Sequence, residues 1–233
     1  MNVEWLNVEW RLFGAWHLGI LGAIAVAARL LTIGMRKWPR AVRWCIAAVM
    51  AAGESYWYYY RLSVEGFRFP EGLPLQLCDL IVWLTVFTLI APRQAIFEFT
   101  FFAGVSGAAM ALMWPDLWAP LCSYPSIYFF SAHGLIVASM AALAWSGTMR
   151  PKPGCVWRSM IVLNVYAALV GLFNAWYHTN YMYLCEKPEG RSPLDWMGPW
   201  PWYIVSGELL ALALFALLWL PFWAGLRFRR QPE

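Results

Sequence analysis

Residues 73–80 read LPLQLCDL and lead straight into the apolar run IVWLTVFTLIA, which ends at Ala91. Three groups with chemistry stand at the head of that run: the amide of Gln76, the thiol of Cys78 and the carboxyl of Asp79. A thiol becomes a useful nucleophile once a base lowers its pKa or removes its proton, and imidazole is the usual base. His133, in YPSIYFFSAHGL, stands at a similar depth in another apolar run, so Cys78 and His133 are a candidate nucleophile–base dyad. The competing reading of Cys78 is a small buried hydrophobe with no reactivity. Asp79 is turned about 100° from Cys78 on a helix. It either orients a neighbouring histidine, holds a polar head group, or pairs at the interface with Arg61 or Arg68.

The elements that must position these groups are membrane spans. Of 233 residues, 61% are hydrophobic and 13% charged, where a soluble domain carries about 25% charged residues. Apolar stretches near 13–34, 41–60, 73–91, 95–113, 127–145, 156–177 and 202–223 are each long enough to cross about 30 Å of hydrocarbon. The expected fold is an all-α bundle of seven transmembrane helices forming one polytopic domain over residues 1–233. The N-terminus MNVEWLNVEWR is acidic and aromatic, unlike a cleavable signal. Its NVEW repeat suits an interfacial helix carrying Trp5 and Trp10. The net charge of +4 is not one basic run, which argues against a nucleic-acid partner.

Lysine and arginine sort by loop. Arg36, Lys37, Arg40, Arg43, Arg93, Arg150, Lys152, Arg158, Arg227, Arg229 and Arg230 fall on one side. The positive-inside rule makes that side cytoplasmic, with the N-terminus outside and the C-terminus inside. Tryptophans such as Trp57, Trp176 and Trp196 at outer ends, and Trp38, Trp145 and Trp223 at inner ones, read as aromatic belts. The long outer loops at 114–126 and 178–202 are rich in proline and aromatics and are expected to form a lid.

Ionisable groups inside spans are costly, and here they share a depth. His17, Glu54, Cys78, His133, Asn174 and Glu208 come from separate spans, and all fall roughly 5–10 Å below the outer boundary at 1.5 Å per residue. Such a layer is either helix–helix glue or a site. Glu54 and Glu208 are expected to bond His17, His133 or Asn174, because an isolated carboxylate there is too costly. Glu98 and Arg29 lie outside the layer, near the cytoplasmic ends, paired or snorkelling. Cys122 and Cys185 lie in outer loops, where an oxidising compartment permits a disulfide. Cys45 and Cys155 face the other side, and no spacing suggests zinc.

LPLQLCDL, FFAGVSGAAMALMWPDL, YPSIYFFSAHGLIV and NYMYLCEKP…SPLDWMGPWPWYI together resemble the YwaF-like family of small bacterial integral membrane proteins. That family is similar to eukaryotic transmembrane protein 164, which moves a fatty-acyl chain onto ether lysophospholipids through a Cys and a His. The resemblance implies that Cys78 and His133 are catalytic, and it takes in His17 and Glu54; with Gln76, Asp79, Asn174, Asn180 and Glu208 these two make up the candidate supporting or substrate-binding residues. It also implies phospholipids or lysophospholipids as substrates, no cofactor, and a bacterial cytoplasmic membrane. More distant relatives hydrolyse fatty-acid esters of hydroxy fatty acids with Thr in place of Cys, so hydrolysis stands beside transfer.

Two other classes compete. A transporter would use Glu54, Asp79 and Glu208 as an ion pathway, but polar groups confined to one depth give no through-path, and no internal repeat is evident. A haem or quinone protein would use His17 and His133, as axial ligands in the haem case. Retinal is excluded, since no span offers a Schiff-base lysine. The loop charges predict that alkaline phosphatase fused to the C-terminus is inactive in a bacterial host; an active fusion would invert the topology and move the dyad to the cytoplasmic leaflet.

Overall fold

The structure, a computed structural model, describes residues 11–188 and 192–228; the NVEW repeat lies outside them. It is helical, with α1 at Ala15–Lys37, α2 at Pro39–Ser63 and α3 at Leu77–Ile90. α4 spans Gln94–Met113, α5 Tyr124–Trp145, α6 Cys155–Tyr177 and α7 Trp202–Phe228. Five of these, α1, α4, α5, α6 and α7, are long and apolar enough to cross a membrane. α2 has the length, at 25 residues, but its second half reads GESYWYYYR. α3 is apolar but only 14 residues long.

Prolines set several boundaries. Pro39 opens α2 at its first position, where its missing N–H costs nothing, so α2 starts earlier than its hydropathy suggests. Pro92 pushes Ala91 out of helical geometry and ends α3. Pro74 similarly disfavours a helix at the head of LPLQ. α3 therefore starts at Leu77, with Gln76 extended at the N-cap (φ −67°, ψ 147°) rather than within the first turn. A single residue, Trp38, separates α1 from α2, and three separate α3 from α4. These short links make antiparallel neighbours and gather the long connections 64–76, 114–123 and 178–201 at one end, called here the loop end. The other end carries the clustered basic residues.

α5 is the buried axis of the bundle, with fourteen buried residues from Pro125 to Ala144. α1 presses on it closely: a Cβ at Gly134 would lie 2.9 Å from Ile24 Cγ1. α4 widens into a π-helical turn at Thr100–Gly104, all five residues buried. There Gly104 takes a side chain from each flanking helix, since a Cβ would meet Ile81 Cγ2 at 2.8 Å and Ile136 Cγ2 at 3.2 Å. Several hydroxyls in these apolar surroundings bond back to their own helix. Thr32, Thr88, Thr100 and Ser106 donate to the carbonyls of Ala28, Leu84, Ile96 and Phe102. The outward faces of α1, α6 and α7 expose Leu18, Leu30, Ile161, Leu169, Leu172, Leu209 and Leu217, the surface that acyl chains solvate.

At the basic end, Glu98 is buried and fully bonded. Oε1 accepts Gln94 Nε2 at 2.8 Å and the Lys152 N–H at 3.0 Å, while Oε2 accepts Arg158 Nε at 3.1 Å and Nη2 at 2.7 Å. Its ion-pair partner is thus Arg158, and the network clips α4 to the start of α6. Arg158 is half exposed (51%) and Glu98 is not (2%), so the two ends of the pair differ in cost. Glu98→Ala strands several donors and is expected to destabilise the protein by about 2–3 kcal/mol. Arg158→Ala should cost more than a surface pair's ~1 kcal/mol but less than Glu98→Ala. Thermal unfolding in detergent measures both, and equal small shifts would refute the clip.

Candidate functional site

Two of the layer's residues follow directly from the Gly104 contact. α3 and α5 are parallel, because each is joined to α4 by a connection that reverses direction. Ile81 and Ile136 meet at Gly104, and on an α-helix the residue three earlier lies on the same face, one turn back. That residue is Cys78 on α3 and His133 on α5. Both stand one turn toward the loop end, on the faces that converge on α4. His133 is buried, its ring against Phe129 at 4.4 Å between centroids. Nδ1 lies 2.8 Å from the Phe129 carbonyl, which can only accept, so Nδ1 carries the proton and Nε2 the lone pair. This tautomer has its base aimed away from its own backbone. Cys78 is half-buried; its thiol turns toward Asp79 Oδ1 at 3.9 Å, and no hydrogen bond joins it to His133 among the described residues.

Around the thiol the structure gathers an acidic, tyrosine-rich cluster. Asp79 is buried, and its Oδ2 accepts the Gln76 N–H at 3.2 Å, the return arm of a capping box. Arg61 lies within electrostatic reach of Asp79 and Glu54. Glu54 is fully buried (0%). The Tyr128 hydroxyl donates to its Oε2, while Oε1 has no hydrogen-bond partner. Tyr58 comes alongside Asp79 and interacts with its carboxyl, and the Tyr124 hydroxyl is buried and unbonded. Tyr166 of α6 lies by Cys78 and Asp79 and donates to the Leu75 carbonyl at 3.1 Å. None of these tyrosines was singled out from the sequence. The available signal was Tyr124 and Tyr128, one helical turn apart at the depth of Glu54. Trp57, expected as a lipid anchor, instead stacks on Tyr128 (4.7 Å, 13°) and is buried. Trp176 (80% exposed) and Trp196 (78%) do have an anchor's exposure.

Other members of the layer are scaffold. Phe13 N–H donates to His17 Nδ1 at 2.9 Å, and His17 Nε2–H donates to the Leu112 carbonyl at 2.7 Å. Both ring nitrogens serve the backbone, so His17 pins α1 to the end of α4 and has no lone pair to offer a haem iron. Asn174 takes Thr179 Oγ1 at 2.8 Å and Tyr181 N–H at 3.0 Å on Oδ1, and donates Nδ2 to the Tyr181 carbonyl at 2.9 Å. It closes the turn after α6, where His178 is left-handed (φ 56°). Asn180 similarly ties Cys185 and Glu186 within the loop. Glu208 accepts Asn164 Nδ2 at 2.8 Å, bridging α6 and α7; its partner is Asn164, not His17, His133 or Asn174. Cys122 and Cys185 are free thiols.

The loop after α6 is nonetheless tied to the site. The Tyr181 hydroxyl donates to the Pro70 carbonyl at 2.8 Å and accepts the Leu73 N–H at 3.0 Å. Met182 N–H donates to Gln76 Oε1 at 2.9 Å, which fixes the amide. Tyr203 of α7 holds the Tyr183 carbonyl at 2.6 Å. The lid thereby grips the N-terminal end of α3, two residues from Cys78.

No curated protein and no solved structure matches the chain. The sequence profile of the TMEM164 family does, and it runs from residue 12 to residue 219. That interval takes in every helix that carries the cluster, the lid that grips it and both members of the converging pair, and the chain belongs to the TMEM164 family.

Proposed function

We propose that the protein is a membrane-embedded lipid acyltransferase that carries a fatty-acyl group on Cys78. The observation that supports it most is the convergence of α3 and α5 on Gly104, with Cys78 and His133 one turn above on the same faces. The lone pair at His133 Nε2 adds to it. Cys78 Sγ attacks the ester carbonyl of a phospholipid while the thiol proton passes to His133 Nε2. Collapse of the tetrahedral intermediate breaks the ester C–O bond, and the leaving alkoxide takes the proton from Nε2 as lysolipid. The thioester then meets an acceptor hydroxyl, whose proton goes to Nε2 as its oxygen bonds the acyl carbon. The Cys78 thiolate leaves and is reprotonated. Water as acceptor gives hydrolysis by the same residues.

The oxyanion requires a donor near the carbonyl. Gln76 suits this role, because Met182 occupies its Oε1 and leaves the Nε2 hydrogens at the head of α3. Asp79, 3.9 Å from the thiol, acts as a positioning residue that holds Sγ until substrate draws it toward His133. The topology that goes with this reading has seven spans, with α2 and the short α3 completing the bundle. The N-terminus is outside, the C-terminus inside, and the membrane is the bacterial cytoplasmic one. The site then serves the outer leaflet.

Mass spectrometry of the intact protein after incubation with bacterial phospholipids is expected to show an acyl adduct, removable by hydroxylamine and absent in Cys78→Ser. His133→Ala should lose transfer as completely as Cys78→Ser, and the double variant should be no worse, since members of a catalytic unit are non-additive. Normal transfer by either single variant would end this mechanism. Gln76→Glu keeps the acceptor for Met182 but removes the donor, and should lower kcat by about 10²–10³ with little change in thermal stability. An unchanged kcat would assign the oxyanion to backbone N–H groups instead.

A further inference from the structure

Between α4, α6 and α7 lies an apolar groove of about 150 Å³. Its wall at the loop end is Leu77, the residue before Cys78, together with Met110 and Gly207; deeper it is walled by Ala103, Leu163 and Phe215. From Gly207 to Phe215 along α7 it runs about 12 Å, at 1.5 Å per residue. Phe215, 1% exposed and packed on Phe102 at 5.6 Å between ring centroids, closes the deep end.

Two glycines line this groove, and neither is required by packing. A Cβ at Gly107 or at Gly207 would meet nothing within 4 Å, whereas one at Gly104, a turn away on α4, would strike two isoleucines. Glycine in a helix interior costs about 1 kcal/mol relative to alanine. At Gly104 the close approach of α3 and α5 accounts for that cost. At Gly107 and Gly207 the effect is an open slot. The groove lies at hydrocarbon depth, where the apolar molecules available to fill a slot one chain wide are acyl tails. Above its deep end, on the α6–α7 side, Asn164 and Glu208 bridge the two helices.

We infer that this groove is the binding site of a single fatty-acyl chain, threaded between Gly107 and Gly207 with its ester end at Leu77 and its path stopped at Phe215. As the tail site of the proposed transfer it rests on that reading, but occupancy by an acyl chain is measurable without turnover. Phe215 sets how far a straight chain descends, and the two glycines set how thick a chain enters.

The test uses the full chain in phosphatidylethanolamine–phosphatidylglycerol vesicles containing a diacyl lipid with a diazirine at mid-chain. After illumination, peptides bearing Leu163, Leu210, Leu214 or Phe215 should be labelled well above the lipid-facing Leu209 and Leu217. Gly107→Leu and Gly207→Leu should abolish that excess; the Gly→Ala forms, which meet no clash and favour the helix, report on folding. If Cys78 is acylated, the Leu variants should also lower adduct formation from long-chain donors by about tenfold or more, and Phe215→Ala should shift preference toward longer chains. Groove labelling in a protein whose Cys78 never acquires an acyl group would uphold the groove and remove the acyl-transfer reading. Acylation of Cys78 with labelling no higher than at Leu209, or labelling unaffected by both Leu variants, would overturn the groove and leave the transfer standing.

Discussion

The contact of Ile81 and Ile136 at Gly104 is the constraint from which the rest of the site takes its geometry. Two β-branched side chains from parallel helices occupy the space of one absent methyl. β-branched residues have little χ1 freedom, so the contact fixes rotation and height together. With α3 and α5 fixed at that level, Cys78 and His133 have determined depths and faces. The π-helical turn that ends at Gly104 rotates the remainder of α4 relative to its first half. The same helix can therefore seal the core with Phe97 and Phe102 and present Gly107 to the groove further along.

α3 needs help that the longer helices do not. At 14 residues it is about 21 Å long, short of the hydrocarbon thickness of about 30 Å, and its N-terminal end lies inside the bundle. The first N–H groups of any helix lack intrahelical partners, and in an apolar medium each needs one. Asp79 serves the Gln76 N–H, and the lid holds the strand ahead of it through Tyr181 and Met182. Asn174 in turn holds Tyr181. A chain of hydrogen bonds thus runs from the end of α6, through the lid, to the turn that carries the thiol. The loop after α6 is thus a structural support of α3.

How much of this was legible in the sequence follows from what each kind of signal measures. Hydropathy locates stretches of chain, so α1 to α7 fall where the apolar runs do; their ends shift by a few residues, most at the start of α3, where LPLQ is extended, and at the end of α7, which runs on to Phe228. Counting residues from a boundary gives depth, and it puts the layer's residues toward the loop ends of their helices. Depth is one coordinate, however, and partnership needs azimuth too. His17 and Asn174 share the layer's level yet face backbone carbonyls and N–H groups of their own surroundings. Glu208 meets Asn164, a residue deeper on α6 that no count from the boundary associates with it. Tyr58, Tyr124 and Tyr128 were missed for the opposite reason. A tyrosine near a boundary is most simply an interfacial anchor, and only packing distinguishes one whose hydroxyl turns inward to a carboxylate.

The carboxylates of this protein answer one physical demand to different degrees. Burial in a low-dielectric medium requires every lone pair to find a donor. Glu98, remote from the thiol, meets it fully with four donors. Close to the thiol, the demand is met in part: Asp79 has one backbone N–H, a distant thiol and Tyr58 alongside, and Glu54 has a single tyrosine and an unpaired oxygen. A structural network saturates, because any orphan lowers stability with nothing gained. A buried carboxylate oxygen left unpaired near the thiol, in a chain that saturates Glu98, is the pattern expected where a polar ligand completes the set. The apolar groove that begins at the neighbouring Leu77 adjoins this partly satisfied cluster, so polar and apolar surfaces meet at the head of α3.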